Sequence, residues 1–121
     1  MKILLVEDNI LNQKLMYFNL SKMGFDISMV SDGNQAVNAC KNSFYDIILM
    51  DIMMPFVDGY EATKQIRTLQ EGTSQSYIIG LTANVFDSDR DKCLKSGMDN
   101  FMPKPFDIDF FCNILEKQSF I

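Results

Sequence analysis

The chain has 121 residues, of which 47% are hydrophobic and 22% are charged, the balance of an ordinary globular domain rather than a disordered tail. Eleven lysines and arginines against sixteen acidic residues give a formal net charge of −5, which argues against direct binding of nucleic acid through its phosphates. The sequence contains no histidine, and this excludes Ser-His-Asp and Cys-His catalysis and the usual zinc sites.

The pattern of apolar residues and cysteines favours a cytoplasmic domain. Charged residues interrupt every apolar run after a few positions, so we expect no insertion into a membrane. The apolar run from Ile3 to Val6 is too short for the core of a signal peptide, and no cleavage site follows it. The cysteines (Cys40, Cys93 and Cys112) are odd in number and far apart, which is typical of free thiols in a reducing compartment.

Five short segments carry the hydrophobic pattern of β-strands. Continuous apolar runs are typical of strands that are covered on both faces, whereas partial alternation, as in the second segment, favours the edge of a sheet. The predicted strands are Lys2–Val6, Asp26–Ser31, Asp46–Met50, Tyr77–Leu81 and Asn100–Met102.

An amphipathic segment follows each predicted strand. The first helix is predicted from the i, i+3, i+4 spacing of Leu11, Leu15, Phe18, Met16, Leu20 and Met23, with Gly24 as its end. The second helix follows Asp32-Gly33 and the third follows Asp58-Gly59. The fourth is predicted from about Val85 to Ser96, and Asp107 is the expected N-cap of the fifth.

Five βα units in sequence predict an α/β fold with one parallel sheet and helices on both of its faces. Right-handed crossovers then favour a doubly wound sheet, in which the half-polar second strand lies at an edge. The sequence shows no linker, repeat or low-complexity segment, so one domain is expected over residues 1–121.

Polar residues follow four of the five predicted strands at their carboxyl ends, where open α/β sheets bind ligands. An acid in such a place is commonly a helix cap or a turn residue, but several loops that each supply a polar group favour a shared site. The residues are Glu7, Asp8, Asp51, Thr82 and Lys104.

These residue types favour phosphoryl chemistry on a carboxylate. Clustered carboxylates repel one another unless a cation neutralises them, and oxygen ligands select a hard ion such as Mg²⁺. An aspartate can act as a nucleophile through an acyl phosphate, and Asp51 is the candidate because it follows the central strand. Thr82 and Lys104 could then bind the phosphoryl oxygens. The loop after the first strand has no glycine, so it does not resemble a nucleotide-binding loop.

Four blocks of sequence, taken in order, resemble the receiver domains of two-component response regulators. They are Val6-Glu7-Asp8-Asn9; Met50-Asp51-Ile52-Met53-Met54-Pro55 with Asp58-Gly59; Leu81-Thr82-Ala83-Asn84; and Ser96-Gly97-Met98 ahead of Lys104-Pro105. The resemblance runs from about Lys2 to Lys117. It implies a flavodoxin-like (βα)5 domain with the strand order 2-1-3-4-5.

The resemblance also implies a role for each acid. Asp51 would accept a phosphoryl group from the phosphohistidine of a histidine kinase or a histidine phosphotransfer protein. Asp8, Asp51 and the backbone carbonyl of Met53 would ligate Mg²⁺, and Glu7 would contribute through a water molecule. The domain would catalyse only its own phosphorylation and dephosphorylation, and a monomer is expected.

The remaining implied residues form a switch. Thr82 and Lys104 would bind the phosphoryl oxygens, and the Lys104-Pro105 peptide bond would be cis. Phe101 matches an aromatic residue that turns inward when Thr82 moves, and it would repack the face made by the fourth helix, fifth strand and fifth helix. Many members of the family have tyrosine at this position, so a phenylalanine must act by packing alone.

Smaller motifs resemble the receivers of hybrid sensor kinases and phosphorelays more than those of DNA-binding regulators. They are Asn9 with Asn12, Asp58-Gly59-Tyr60-Glu61-Ala62, Ile66-Arg67, Leu81-Thr82-Ala83-Asn84 and Gly97-Met98-Asp99.

Two alternatives stay open. A small Mg²⁺-dependent phosphohydrolase of the haloacid dehalogenase type also uses an aspartate nucleophile, but it needs a second acid two residues later, where this chain has Met53. A degenerate receiver that serves only as an interaction module is the other alternative, and the presence of Asp51, Thr82 and Lys104 argues against it.

Overall fold

Strands and helices alternate along the chain. The structure, a computed structural model, describes residues 1–54, 56–72, 74–83 and 87–121. Its elements are β1 (Lys2–Val6), α1 (Ile10–Ser21), β2 (Asp26–Val30), α2 (Gly33–Asn42), β3 (Ile47–Asp51), α3 (Gly59–Leu69), β4 (Tyr77–Thr82), α4 (Asp87–Ser96), β5 (Asn100–Pro103) and α5 (Ile108–Lys117).

The strands form a parallel sheet in the order β2-β1-β3-β4-β5, which confirms the predicted doubly wound fold and the edge position of β2. Strand boundaries differ from the prediction by about one residue. Asp51 is the last residue of β3 because it pairs with Leu81 of β4, and Thr82 is the last residue of β4 because it pairs with Pro103 of β5.

Side chains of the strands point alternately into two hydrophobic clusters, one on each face of the sheet. Leu4 and Val6 of β1 pack with residues of α2 and α3, whereas Ile3 and Leu5 pack with residues of α1 and α5. Both faces are thus covered, which is the physical reason that β1 and β3 read as continuous apolar runs in the sequence.

Side-chain caps begin four of the described helices. Asn9, Asp32 and Asp58 each accept a hydrogen bond from the backbone N–H three residues later, and Asp107 accepts one from the N–H of Asp109. The capping role predicted for Asp107 is confirmed. Carboxylate and amide oxygens at these positions satisfy N–H groups that the first helical turn leaves unpaired.

Glycines follow α1 and α4 as predicted. Gly24 has φ of 82° and Gly97 has φ of 104°, a region in which a residue with a Cβ atom is strained. The predicted start of the fourth helix near Val85 lies outside the described residues, as do Pro55 and Asn84 of the quoted sequence blocks.

Apolar residues of α1 divide between the core and the surface. Met16 and Leu20 are buried, as the helical spacing predicts. Four others are exposed by between 54% and 67% of their surface: Ile10, Leu11, Leu15 and Phe18. The spacing therefore predicted the helix correctly, but only part of its apolar set faces the sheet.

None of the described helices combines the length and the apolar character that crossing a bilayer requires.

Candidate functional site

Three acids meet at the carboxyl edge of the sheet. Glu7 follows β1 and Asp51 ends β3, and these two strands are neighbours in the sheet. Carboxylate oxygens of Glu7, Asp8 and Asp51 lie within 4.8 Å of one another. Glu7 and Asp51 are buried, with 2% and 1% of their surface exposed, whereas Asp8 is exposed. The structure thus brings together the acids that the sequence predicted.

Lys104 lies against two of these acids. Its Nζ atom is 2.7 Å from Asp51 Oδ1 and 4.0 Å from Glu7 Oε2. The backbone N–H of Lys104 donates to the carbonyl oxygen of Thr82 at 2.8 Å, which ties the end of β5 to the end of β4. The Lys104–Pro105 peptide bond is cis, as predicted. A buried carboxylate is tolerated when a cation pairs with it in this way.

One oxygen of each buried acid stays open for a further ligand. Asp51 Oδ1 accepts from the backbone N–H of Met53 at 3.2 Å as well as from Lys104. Within the described residues, Asp51 Oδ2 and Glu7 Oε2 have no hydrogen-bond donor. Orphaned buried oxygens are costly, and a divalent cation with a preference for oxygen ligands would satisfy both of them. The residues present therefore fit a hard metal ion.

Residues at the start of α1 hold Glu7. Asn12 Nδ2 donates to Glu7 Oε1 at 2.8 Å, and Gln13 Nε2 donates to the backbone carbonyl oxygen of Glu7. In the sequence, Asn12 is recognisable only as part of a subgroup motif, and neither contact is predicted from it. Their spacing of five and six residues from Glu7, in the first turns of the next helix, was the available signal.

Burial and the neighbouring carboxylate raise the pKa of Glu7 to about 7, from an ordinary value of 4.5. Burial has the larger effect, because it disfavours the charged form, and contact with Asp51 adds to it. The hydrogen bond from Asn12 and the charge of Lys104 oppose the rise in this pKa.

The other predicted site residues lie at the same end of the sheet, at different depths. Thr82 is buried at the end of β4, next to the strand that bears Asp51. Met53 directs its side chain to solvent, with 75% of its surface exposed. Phe101 of β5 pairs with Gly80 of β4 and packs, half-buried, against the hydrophobic cluster beneath α3.

Gly59 allows α3 to begin directly against the site. A Cβ atom on Gly59 would overlap the backbone oxygen of Asp51 and would lie 2.8 Å from Cα of Ile52. Gly59 N–H also donates to the Ile52 carbonyl oxygen at 3.0 Å. The glycine in the Asp58-Gly59 motif is therefore required by close backbone approach.

A cleft of about 320 Å³ opens beside the acids, between α1 and the segment that joins β5 to α5. Glu7 and Lys104 line its inner end, and Leu15 and Phe106 contribute apolar surface. Glu7 and Lys104 are therefore the site residues that this cleft makes accessible.

Comparison with known proteins points to one family. The response regulator receiver domain family matches residues 3–116. Hybrid signal transduction histidine kinase H of Dictyostelium discoideum is 43% identical over an alignment of 121 positions, which covers 97% of this chain and 9% of that kinase. Sensor histidine kinase RcsC of Escherichia coli is 38% identical over 109 residues, which cover 90% of this chain and 11% of RcsC. The chain thus spans about a tenth of the length of these relatives.

Solved structures agree with the sequence comparison. The receiver domain of sensor histidine kinase PA1611 from Pseudomonas aeruginosa, with a magnesium ion coordinated in its active site cleft, matches with a TM-score of 0.85 at 43% identity, over 96% of this chain and 94% of that one. The receiver domain of Ssk1 from Saccharomyces cerevisiae, in a co-crystal with the histidine phosphotransfer protein Ypd1, matches with a TM-score of 0.87 at 32% identity, over 96% and 87% of the two chains. In its sequence, its fold and its acidic edge, this chain belongs to the response regulator receiver domain family.

Proposed function

We propose that the protein is a phosphoryl-accepting signalling switch in which Asp51 is the acceptor. The observation that supports it most strongly is the state of Asp51: its carboxylate is buried, one oxygen contacts Lys104 at 2.7 Å, and the other oxygen is open toward the acidic cluster. In the transfer step, an Asp51 oxygen forms a bond to phosphorus while the bond from phosphorus to the imidazole nitrogen of the donor breaks. The imidazole keeps that electron pair and takes up a proton.

Mg²⁺ is the proposed cofactor. The donor set would be Asp8, Asp51 and the backbone carbonyl of Met53, with Glu7 acting through a water molecule. When it is bound, the ion supplies positive charge that offsets both the clustered carboxylates and the phosphoryl oxygens. Lys104 would add a further positive charge, because its ammonium already lies against Asp51.

Thr82 and Phe101 are the proposed switch residues. A phosphoryl group on Asp51 adds negative charge and acceptor oxygens at the end of β3. The Thr82 hydroxyl, at the end of the neighbouring strand, would donate to one of these oxygens and draw the end of β4 toward the site. Phe101 lies across from Gly80 in the same strand pair, so its packing would respond and change the α4-β5-α5 face.

The proposed phosphoryl donor is the phosphohistidine of a histidine kinase or a histidine phosphotransfer protein. The chain has no histidine of its own, so such a donor must come from another domain or molecule. Support comes from the exposed apolar residues of α1, Ile10, Leu11, Leu15 and Phe18, which we call the α1 patch. Exposed apolar patches commonly mark protein contacts, and Leu15 also lines the cleft that leads to Glu7.

Met53 argues against the hydrolase alternative. It occupies the position where that alternative needs a second acid, and its solvent-exposed thioether cannot donate a proton to a leaving group. The intact contact between Lys104 and Asp51 argues against a degenerate module.

We also propose that residues 1–121 form one receiver domain, monomeric and cytoplasmic. The cysteines Cys40, Cys93 and Cys112 are free, as a reducing compartment would leave them.

Labelling with a small phosphodonor tests the acceptor. Incubation with Mg²⁺ and acetyl phosphate should add one phosphoryl group, labile to hydroxylamine, that peptide mapping places on Asp51. Asp51→Asn should abolish the label. Asp26→Asn, a matched change in an exposed aspartate at the start of β2, should retain it. A label that persists on Asp51→Asn would overturn the assignment.

A further inference from the structure

Neutral side chains in the first turn of α1 contact the acidic site. Asn9 caps the helix, and its Oδ1 atom accepts from the backbone N–H of Asn12 at 3.0 Å. The side chain of Asn12 then reaches back and donates from Nδ2 to Glu7 Oε1 at 2.8 Å. The sequence singles out Asn9 and Asn12 as a pair, yet the proposed phosphoryl transfer assigns neither of them a role.

The contact from Asn12 fixes a torsion that is otherwise soft. The last torsion of a glutamate side chain is broad and roughly two-fold, so burial alone does not fix the plane of the Glu7 carboxylate. Because Asn12 holds Oε1, the oxygen that faces Lys104 Nζ at 4.0 Å is Oε2. Within the described residues, this Oε2 has no hydrogen-bond donor, so it remains open for a ligand.

The main chain of Glu7 is held separately from its carboxylate. Gln13 Nε2 donates to the Glu7 carbonyl oxygen and also to Ser31 Oγ, at 3.3 Å. The Glu7 N–H donates to the Val30 carbonyl oxygen at 3.1 Å. Loss of the Asn12 amide would thus release the carboxylate while the backbone stays in place.

We propose that Asn12 is a positioning residue of the metal site, and that its amide aims Glu7 Oε2 into the acidic cluster. The inference rests on the proposed function, since it takes Mg²⁺ as the ion that the cluster binds. Hydrogen bonds that orient ligating carboxylates are typically worth about 10- to 100-fold in metal affinity. Because Glu7 acts through a water molecule, we expect the lower end of this range.

Asn19 offers a matched control on the same helix. It lines the same cleft as Asn12 but lies two turns further along α1, about 10 Å away along the axis. No hydrogen bond joins it to Glu7 in the described part of the chain. Asn12→Leu and Asn19→Leu are therefore the same near-isosteric change, with and without loss of the contact to the carboxylate.

The experiment is a titration of the metal-free protein with Mg²⁺ alone, followed by amide resonances and by the ¹³C signal of the Glu7 carboxyl group. We expect Asn12→Leu to raise the Kd for Mg²⁺ about tenfold and Asn19→Leu to change this Kd less than about twofold. In the wild type, the Glu7 carboxyl signal should move on addition of Mg²⁺, and in Asn12→Leu this movement should be reduced. In a Glu7→Gln background, Asn12→Leu should add less than about twofold, since its effect acts through Glu7.

Three results would overturn the proposal. The Kd of Asn12→Leu for Mg²⁺ could lie within about twofold of the wild type, or Asn19→Leu could raise this Kd as much as Asn12→Leu does. The third result is that Asn12→Leu raises the Kd as much in the Glu7→Gln background as in the wild type. Melting in chelator shows whether each variant is folded, and Asn12→Ala takes the place of Asn12→Leu if the latter is not. A wild-type protein that does not respond to Mg²⁺ would instead contradict the proposed function itself.

Discussion

At the scale of single residues, Glu7 is the acid whose burial makes the acidic site unfavourable in the absence of metal. The sequence predicts three crowded acids, among which Asp8→Asn would relieve repulsion. The structure instead leaves Asp8 exposed and buries Glu7, whose pKa rises to about 7. Asp8 stays within 4.8 Å of the other acids, so the expectation for Asp8→Asn remains a prediction, and Glu7→Gln is a second variant expected to relieve repulsion in the metal-free protein.

This raised pKa predicts the pH dependence of stability without metal. The folded protein holds the Glu7 proton up to about pH 7, whereas the unfolded chain releases it near its ordinary value of 4.5. Its contribution to the free energy of unfolding is thus fully present below pH 4.5 and is lost as the pH rises to about 7. The loss is on the order of 3 kcal/mol, since one pKa unit corresponds to about 1.4 kcal/mol.

Urea unfolding in chelator across this pH range measures the effect. Glu7→Gln should remove this part of the pH dependence and should be more stable than the wild type above pH 7. Equal pH profiles for the two proteins would contradict the burial of an ionisable carboxyl group at this position.

Mg²⁺ should act in the opposite direction. The ion binds the folded acidic cluster and not the dispersed acids of the unfolded chain, so the Tm of the wild type should rise with Mg²⁺ concentration. Glu7→Gln should show a smaller rise, because one carboxylate of the site is neutral. Thermal melts at pH 7.5 in chelator and in about 10 mM Mg²⁺ test this, and a wild-type Tm that ignores Mg²⁺ would show that the cluster does not bind the ion.

At the scale of elements, α1 has two apolar sides, one buried against the sheet and one exposed. Periodicity alone could not separate them, because Leu11 and Leu15 satisfy the same spacing rule as Met16 and Leu20. The contacts of Glu7 with Asn12 and Gln13 also could not be predicted, since they depend on the angle at which α1 leaves β1. Residues at strand ends were predictable because parallel topology alone brings Glu7 and Asp51 together.

The exposed side of α1 should act in recognition and not in chemistry. Phe18→Ser removes an exposed ring from the α1 patch, and it should slow phosphoryl transfer from a phosphohistidine donor about tenfold or more. Labelling by acetyl phosphate should stay unchanged, because the acids are untouched. The matched control is Phe44→Ser, which removes an exposed ring from the segment between α2 and β3, outside the α1 patch. Equal transfer rates in the two variants would contradict docking on α1.

A second inter-element contact joins α3 to the turn after α4. The Arg67 guanidinium donates to the carbonyl oxygens of Gly97 and Ser76 at 2.8 and 2.7 Å, and it pairs with Asp99 Oδ2 at 2.7 Å. Asp99 in turn accepts from the backbone N–H of Ile78 at 2.8 Å. The contacts of Arg67 with Gly97 and Asp99 span 30 and 32 residues of sequence, so the Ile66-Arg67 and Gly97-Met98-Asp99 motifs gave no sign that they meet.

Arg67→Met should therefore destabilise the fold by about 2 kcal/mol, because it leaves two part-buried carbonyl oxygens without this donor. Asp99→Asn should cost less, since the amide oxygen can still accept from Ile78. In the double variant the losses should not add, as the two side chains share one network. Chemical denaturation of the four proteins gives this coupling, and strict additivity would contradict a shared network.

At the scale of the whole molecule, the fold places Asp51 on β3 and the proposed responding face around β5, with β4 between the two strands. Thr82 and Phe101 lie on β4 and β5, so a change at Asp51 has a short path to α4 and α5. Mg²⁺ with beryllofluoride, a mimic of the phosphoryl group, should shift amide resonances across the α4-β5-α5 face. Shifts confined to the surroundings of Asp51 would show that the site binds the mimic without acting as a switch.

We propose that Asp51 takes its phosphoryl group from a histidine of another protein or domain. The most direct measurement is single-turnover transfer from radiolabelled phosphohistidine donors, tried as a panel, to the wild type and to Asp51→Asn. The account predicts that, with Mg²⁺ present, at least one donor loses its label to the wild type as a hydroxylamine-labile group on Asp51, and that Asp51→Asn receives none. Label that remains on every donor, or that reaches Asp51→Asn as readily as the wild type, would contradict it.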